Sequence, residues 1–263
     1  MNWSIQKLKF YHKDVFFRRY DGGDKRTIVF VHGLFHSSRI FYEAPNYFQD
    51  ANLIAIDLPG FGFSEAIVTD DAKIFTDAIA AVLKDVGVRG RLFIVAHSIA
   101  STLVLPLIND ASKIIMIEGN LLEQHLTIAK KVAAYTEAEF QSYVYRLRTF
   151  GSMVLRIEIE NISNLMSRYL ARDYKAFDSE VARSLCKLVV RKFYDQNLRE
   201  TWIDLSPDIQ VVFGSKSDYA NSIEQLERMF SKNSLHCING AKHYPMVCNP
   251  KETYDTISKI LRL

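Results

Sequence analysis

The sequence predicts an α/β protein, and two features of its apolar pattern lead to this prediction. Short apolar runs rich in β-branched residues alternate with longer segments in which apolar residues recur at helical spacing. The short runs are apolar throughout, which is typical of parallel strands covered by helices on both faces. The length of 263 residues fits one large domain or a core with an inserted subdomain.

Strands and helices are predicted in the following order along the chain. Residues 1–20 are expected to form an antiparallel hairpin or meander that leads into the sheet. Buried strands are expected at residues 27–31, 53–56, 92–96, 113–117 and 209–213. Connecting helices are expected at residues 41–48, 70–86 and 222–230. This alternation predicts a mostly parallel central sheet with helices on both faces.

Residues 121–203 interrupt this alternation. Aromatic and aliphatic residues there, such as Phe140, Tyr143 and Leu147, recur at helical spacing, while residues 153–159 fit a strand or a helix equally well. We therefore predict a core formed by residues 1–120 and 204–263, with a helical insertion at residues 121–203.

Composition and charge narrow the classes of function. A net charge of +3 is too small to indicate nucleic-acid binding. The sequence has no run of about 18 apolar residues, so no membrane span is expected, and its start lacks an apolar stretch of signal-peptide length. Its three cysteines have no C-x-x-C spacing, which favours reduced thiols in a cytoplasmic protein.

Neither a metal nor a cofactor is predicted. The sequence lacks histidine and cysteine spacings typical of a metal site, such as H-E-x-x-H. Gly60-Phe61-Gly62 lacks the third glycine and the following helix of a dinucleotide-binding loop.

The candidate nucleophile is Ser98, in the stretch Ala96-His97-Ser98-Ile99-Ala100. This serine stands between a predicted strand and a helix-like segment, as at the sharp strand–turn–helix that exposes a reactive hydroxyl. Such a turn usually carries glycine two residues before and two after the serine. Alanine adds only one methyl group at each position, so the turn remains feasible. The alternative interpretation of Ser98 is an ordinary helix N-cap.

Three further motifs favour the nucleophile. A strand running into His32-Gly33-Leu34 precedes it, and a second strand ends at Asp57-Leu58-Pro59-Gly60. Downstream, Asp218 follows the predicted strand at 209–213, and His243 lies on a loop near the C-terminus.

Together these motifs resemble the α/β-hydrolase superfamily over residues 25–120 and 205–263. The chain order Ser…Asp…His is also that family's order for its catalytic triad. The resemblance implies that Ser98 is the nucleophile, His243 the general base and Asp218 the acid that orients the base.

The same resemblance implies an α/β-hydrolase fold in which residues 121–203 act as a cap, or lid. It also implies an oxyanion hole built from the backbone N–H groups of Leu34 and Ile99. Family members that open epoxides or displace halide use aspartate as nucleophile, so Ser98 favours ester hydrolysis.

Several polar residues have a second possible role. Glu118 ends a predicted strand and is a rival to Asp218, because some family members carry the triad acid after this strand. Asp57 matches an aspartate that fixes the following loop, and His32 is expected to hydrogen-bond the loop backbone. His97 is expected to point away from the pocket.

The leading hypothesis is a serine esterase acting on a small-molecule ester with a small or medium acyl group. The insertion holds 13 Lys and Arg against 10 Asp and Glu. This basic balance is either a solvated helical surface or a docking surface for acyl carrier protein, as the resemblance to capped carrier-protein methyl ester esterases implies. A thioesterase is a further alternative. So is a slow-turnover ligand receptor or signalling protein that keeps the triad.

Overall fold

The computed structural model describes residues 3–23, 25–88, 90–160, 162–195 and 209–263. One eight-stranded sheet runs through it in the order β1-β2-β4-β3-β5-β6-β7-β8. Its strands are β1 Ser4–Phe10, β2 Lys13–Tyr20, β3 Arg26–Val31, β4 Asn52–Ile56, β5 Arg91–His97, β6 Lys113–Ile117, β7 Ile209–Gly214 and β8 Leu235–Ile238. The predicted fold class, a mostly parallel sheet with helices, is therefore confirmed.

Only the first strands of the sheet are antiparallel. β1 pairs with β2, and β2 pairs with β4, in antiparallel registers, whereas the pairs from β4 to β8 are parallel. The residues of β3 from Thr27 to Val31 are fully or almost fully buried, as expected for a strand covered on both faces. The carboxyl ends of the parallel strands lie along one edge, where sites form in this class of fold.

Helices connect several of the parallel strands. Their bounds are α1 Lys73–Val86, α2 Ala100–Val104, α3 Thr127–Ala134, α4 Glu137–Glu158, α5 Asn164–Ala176, α6 Ser179–Asp195, α7 Ile223–Glu227, α8 Pro245–Cys248 and α9 Pro250–Leu261. Throughout the described ranges, each of these helices is too short or too polar to cross a lipid bilayer.

One predicted element differs from the structure, and one ambiguous segment is resolved by it. Residues 41–48 were expected to form a helix, but the chain there makes two short 3₁₀ turns, Ser38–Phe41 and Ala44–Asn46. Pro45 explains the break, since it has no N–H to donate and restricts the residue before it. The ambiguous segment 153–159 is helical and belongs almost wholly to α4.

Among the described residues between β6 and β7, the chain forms four helices, α3 to α6. The described part of residues 121–203 is thus mostly helical, and the predicted end of the insertion, at 196–203, lies outside the described residues. A capping box starts α4, because Thr136 and Glu139 hydrogen-bond each other's backbone N–H groups.

A buried ion pair joins the insertion to the core. The carboxylate of Asp173 on α5 is completely buried and accepts hydrogen bonds from the Arg39 guanidinium at 2.6 Å and the Ser37 hydroxyl at 2.8 Å. The backbone N–H of Ser37 donates to the second carboxylate oxygen at 3.1 Å. Burial raises the pKa of Asp173 to about 7, against the opposing effects of Arg39 and Ser37.

Because this pKa is raised, we expect the contribution of Asp173 to the free energy of unfolding to fall as the pH rises. Between the ordinary pKa of 3.8 and about 7, the folded chain holds a proton that the unfolded chain has released. The contribution of Asp173 is therefore fully present below that window and falls by about 1.4 kcal/mol per pH unit within it. The measurement is urea unfolding of the parent and Asp173→Asn at pH 5 and pH 8. A stability difference that grows in favour of the parent at pH 8 would show that the charge on Arg39 dominates instead.

Candidate active site

Ser98 lies on a sharp turn between β5 and α2. Its φ of +55° is in the left-handed region, which non-glycine residues adopt uncommonly. The Ser98 N–H donates to the carbonyl of Ile117 on β6 at 2.9 Å, and the Ser98 carbonyl accepts from Ser101 at 3.0 Å. Ala96 and Ala100 on either side are fully buried, so the turn forms with alanine where glycine is usual.

The hydroxyl of Ser98 meets the imidazole of His243. The two side chains are 145 residues apart in sequence, and Ser98 Oγ lies 3.1 Å from His243 Nε2. His243 lies on the loop between β8 and α8. This distance is within hydrogen-bond range for a base that removes a hydroxyl proton.

The carboxylate beside the imidazole belongs to Glu118. Its Oε2 lies 3.4 Å from His243 Nδ1, and its Oε1 accepts a hydrogen bond from the Gly214 N–H at 2.7 Å. The Glu118 side chain is 2% exposed and follows directly on β6, with a left-handed φ of +50°. A buried carboxylate fixed at one oxygen by backbone can use the other to orient an imidazole.

The structure brings Glu118, the rival candidate, and not Asp218 to the imidazole of His243. Asp218 is exposed in the loop after β7, and within the described ranges neither an ion pair nor a hydrogen bond links its carboxylate to His243. Topology gives the reason, because β6 adjoins the strand that carries Ser98 whereas β7 lies one strand further away. Glu118 also stands at the very end of its strand, while Asp218 lies four residues beyond Gly214.

His97 occupies a position that its sequence did not suggest. Contrary to expectation, its ring lines the cavity, and its Nε2 lies 2.9 Å from the backbone carbonyl of His243. Burial and the nearby His243 lower the pKa of His97, so it is the neutral ring that donates this hydrogen bond. The bond ties the turn that carries the nucleophile to the loop that carries the imidazole. This bond could not be predicted from the sequence, because it depends on how the two loops approach each other in the fold.

Leu34 and Ile99 both line the cavity beside Ser98. In the described chain, their backbone N–H groups donate to no protein acceptor, so both are free to bind a ligand oxygen. Glycine at position 33 allows the close approach of the two loops. A Cβ there would lie 2.7 Å from His97 Nδ1 and 3.0 Å from the Ser98 Cβ.

His32 and Asp57 hold the neighbouring loops. His32 is fully buried, with Nδ1 2.7 Å from the Gly33 carbonyl and Nε2 accepting from the Leu58 N–H at 3.0 Å. Asp57 accepts hydrogen bonds from the backbone N–H groups of Ser38 at 2.7 Å and Phe63 at 2.9 Å. These contacts leave both side chains engaged with loop backbone.

A cavity of about 550 Å³ opens beside Ser98, within the usual size range of small-molecule sites. The helical insertion contributes apolar wall residues, among them Ile128, Tyr143, Leu147 and Val154. Within the described chain, no group of three or more His, Cys, Asp or Glu side chains is arranged to hold a metal ion.

The comparison with known proteins places this geometry in a family. The model of the alpha/beta hydrolase family matches residues 28–256, which is most of the chain. The chain belongs to the alpha/beta hydrolase family. A search of curated proteins finds no match.

Solved structures of alpha/beta hydrolases share the fold at low sequence identity. The Cif epoxide hydrolase from Acinetobacter nosocomialis superposes with a TM-score of 0.80 at 16% identity, over 98% of this chain and 89% of that one. A thermophilic esterase from Thermogutta terrifontis gives a TM-score of 0.73 at 15% identity, over 98% of both chains. E-2-(Acetamidomethylene)succinate hydrolase gives 0.73 at 17% identity, over the whole of both chains. At these identities the likeness shows the fold alone.

Proposed function

We propose that this alpha/beta hydrolase is a serine esterase that cleaves a carboxylic ester with a small or medium acyl group through an acyl-enzyme intermediate. The observation that carries the proposal is the chain of contacts from Ser98 Oγ to His243 Nε2, at 3.1 Å, and from His243 Nδ1 to Glu118, at 3.4 Å. In this assignment Ser98 is the nucleophile, His243 the general base and Glu118 the acid that orients the base.

The first half of the reaction acylates Ser98. His243 Nε2 takes the hydroxyl proton while Oγ attacks the ester carbonyl, and Glu118 stabilises the imidazolium that forms. The backbone N–H groups of Leu34 and Ile99 bind the oxyanion of the tetrahedral intermediate. His243 then gives its proton to the alcohol oxygen, which leaves.

The second half releases the acid. Water takes the place of the alcohol, loses a proton to His243 and attacks the acyl carbonyl, and the same oxyanion contacts stabilise the second intermediate. Collapse of that intermediate returns the proton to Ser98 Oγ. In this scheme His97 keeps the His243 loop in place, and as a neutral ring it does not repel the imidazolium.

The insertion would act as a cap that selects the substrate. Its side chains contribute both apolar wall and the charged Lys131, Arg146 and Glu158 to the 550 Å³ cavity, and the apolar wall supports a substrate with an apolar acyl group. The serine at position 98 supports an ester or thioester over an epoxide as substrate. The three cysteines are free thiols, which is compatible with the cytoplasmic location we propose.

The direct test is hydrolysis of a series of p-nitrophenyl esters and matched thioesters of increasing acyl length. We expect turnover of at least one short or medium ester, with the highest kcat/KM below the longest chains because the cavity is limited in volume. Fluorophosphonate labelling without turnover of any ester or thioester would contradict an esterase and favour the receptor hypothesis. Faster turnover of thioesters than of oxygen esters would instead favour the thioesterase hypothesis.

Docking of acyl carrier protein remains a separate prediction. If the carrier protein docks on the insertion, an ester carried on it should be cleaved faster than the free ester, and this difference in rate should disappear at high salt. Rates on the carrier-linked ester that do not change with salt would contradict it.

A further inference from the structure

The helices α4 and α5 expose an unusual amount of apolar surface. Of the large apolar side chains that are exposed in the described chain, five lie on these two helices, each about half exposed or more. We call them the apolar patch: Tyr145, Phe150, Met153, Ile157 and Leu165.

Helical spacing makes most of this patch continuous. Met153 and Ile157 are four residues apart on α4, so they lie on one face of the helix, and Phe150 stands at a kink in α4, where its backbone is not helical (φ −112°, ψ 16°). A hydrogen bond of 2.8 Å from the Arg156 guanidinium to the Asn164 side chain ties the end of α4 to the start of α5. Ile157 directly follows Arg156 in the sequence, and Leu165 directly follows Asn164.

The charged residues around the patch are mostly basic. Residues 140–157 and 164–176 contain six basic residues, all exposed: Arg146, Arg148, Arg156, Arg168, Arg172 and Lys175. Their only acidic residue is Asp173, which is fully buried and paired with Arg39. The exposed acidic residues of α4 stand at its two ends: Glu137, which pairs with Arg183, and Glu139 at the start, and Glu158 at the end. Glu158 lines the cavity, as Arg146 does, and Glu160 pairs with Lys216 and Lys242.

We propose that the outer surface of α4 and α5 docks on a membrane surface that contains anionic phospholipid. Such a surface offers anionic head groups above an apolar interior, which matches basic side chains flanking large apolar ones. Arginine stems can lie along the apolar boundary while their guanidinium groups reach the head groups. The inference concerns binding only and does not depend on the proposed esterase activity.

Charge argues against a second copy of the chain as the occupant. In a two-fold dimer the same patch faces itself, so the six basic residues would meet their own copies, while the exposed acids of α4 lie only at its two ends. An acidic protein would satisfy the charges, but it would have to provide a complementary apolar groove for five exposed side chains as well.

The inward face of α4 forms part of the cavity wall. Tyr143, Leu147, Val154 and Glu158 of α4 line the cavity that holds Ser98. Docking of α4 would therefore bring the cavity wall close to the lipid surface.

The test measures co-flotation of the full chain with vesicles of phosphatidylcholine mixed with phosphatidylglycerol, and with pure phosphatidylcholine. We expect binding to the anionic vesicles to be at least about tenfold tighter and to weaken with salt. Met153→Ser with Ile157→Ser, and separately Arg168→Gln with Arg172→Gln, should each reduce binding to the anionic vesicles about tenfold or more.

Two matched controls make these losses specific. Ile5→Ser with Val68→Ser removes exposed apolar side chains from elsewhere, and Lys84→Gln with Arg228→Gln removes the same charge from elsewhere. Both should bind like the parent. No co-flotation with anionic vesicles, or equal losses in controls and patch variants, would overturn the proposal. So would self-association that Met153→Ser with Ile157→Ser abolishes, or binding to polyglutamate but not to anionic vesicles.

Discussion

Replacing Ser98 with alanine is expected to abolish ester hydrolysis, with kcat/KM lower by roughly 10⁴- to 10⁶-fold. The substitution removes only the hydroxyl group, whose Oγ lies 3.1 Å from Nε2 of the His243 imidazole that would activate it. Without Oγ no acyl-enzyme can form, and only the slow attack of water in the cavity remains. The measurement is the rate on the best p-nitrophenyl ester, at enzyme concentrations high enough to detect a residual rate.

Stability serves as the control for this variant. Ser98 keeps its left-handed backbone through hydrogen bonds made by its N–H and carbonyl, and alanine retains both groups. We therefore expect the midpoint of thermal unfolding to stay within a few degrees of the parent's. Thr149→Ala, which removes an exposed hydroxyl from α4, should keep full activity. Equal activity of Ser98→Ala and the parent, with both folded, would contradict the role of Ser98.

Replacing Glu118 with glutamine is expected to lower kcat by roughly 10²- to 10⁴-fold, with a smaller change in KM. Glutamine keeps an oxygen for the Gly214 N–H but removes the charge that stabilises the imidazolium. It can also present an amide N–H to His243 Nδ1, which favours the wrong tautomer of the imidazole. Kinetics of the parent and the variant over a range of ester concentrations separate kcat from KM.

The matched control is Asp218→Asn, the same change of carboxylate to amide at the other candidate. Asp218 is exposed, and its carboxylate makes no ion pair or hydrogen bond with His243 in the described chain. We expect its kcat to fall by no more than a few-fold. If Asp218→Asn loses more activity than Glu118→Gln, then Asp218 is the acid that orients the base, as the order of the motifs first suggested.

The sequence pattern predicts the core of this fold well because buried parallel strands appear in the sequence as continuous apolar runs. The strand predicted at 113–117 coincides with β6, and those at 27–31 and 92–96 differ from β3 and β5 by a residue or two. Runs without polar residues are rare outside such strands, so their ends are easy to place. β8 is shorter and only partly buried, and the sequence prediction did not include it.

Spatial relations between loops are harder to predict. Sequence order points to Asp218 as the partner of His243, but the lateral order β5-β6-β7 puts Glu118 closer to the nucleophile. The bond from His97 to the His243 carbonyl joins residues 146 positions apart, and the residue type of His97 gives no sign of it. Helical spacing at residues 41–48 was outweighed by the backbone restriction at Pro45.

The most direct measurement of the proposed site is mass-spectrometric mapping of a fluorophosphonate adduct on the intact chain. A fluorophosphonate reacts with a serine that an adjacent imidazole activates, so it reports the contact between Ser98 and His243 without any assumption about the substrate. We predict a single adduct on the peptide that contains Ser98, formed more slowly in Glu118→Gln and at the parent's rate in Asp218→Asn. An adduct on another residue, or equal labelling of Ser98→Ala, would contradict the account.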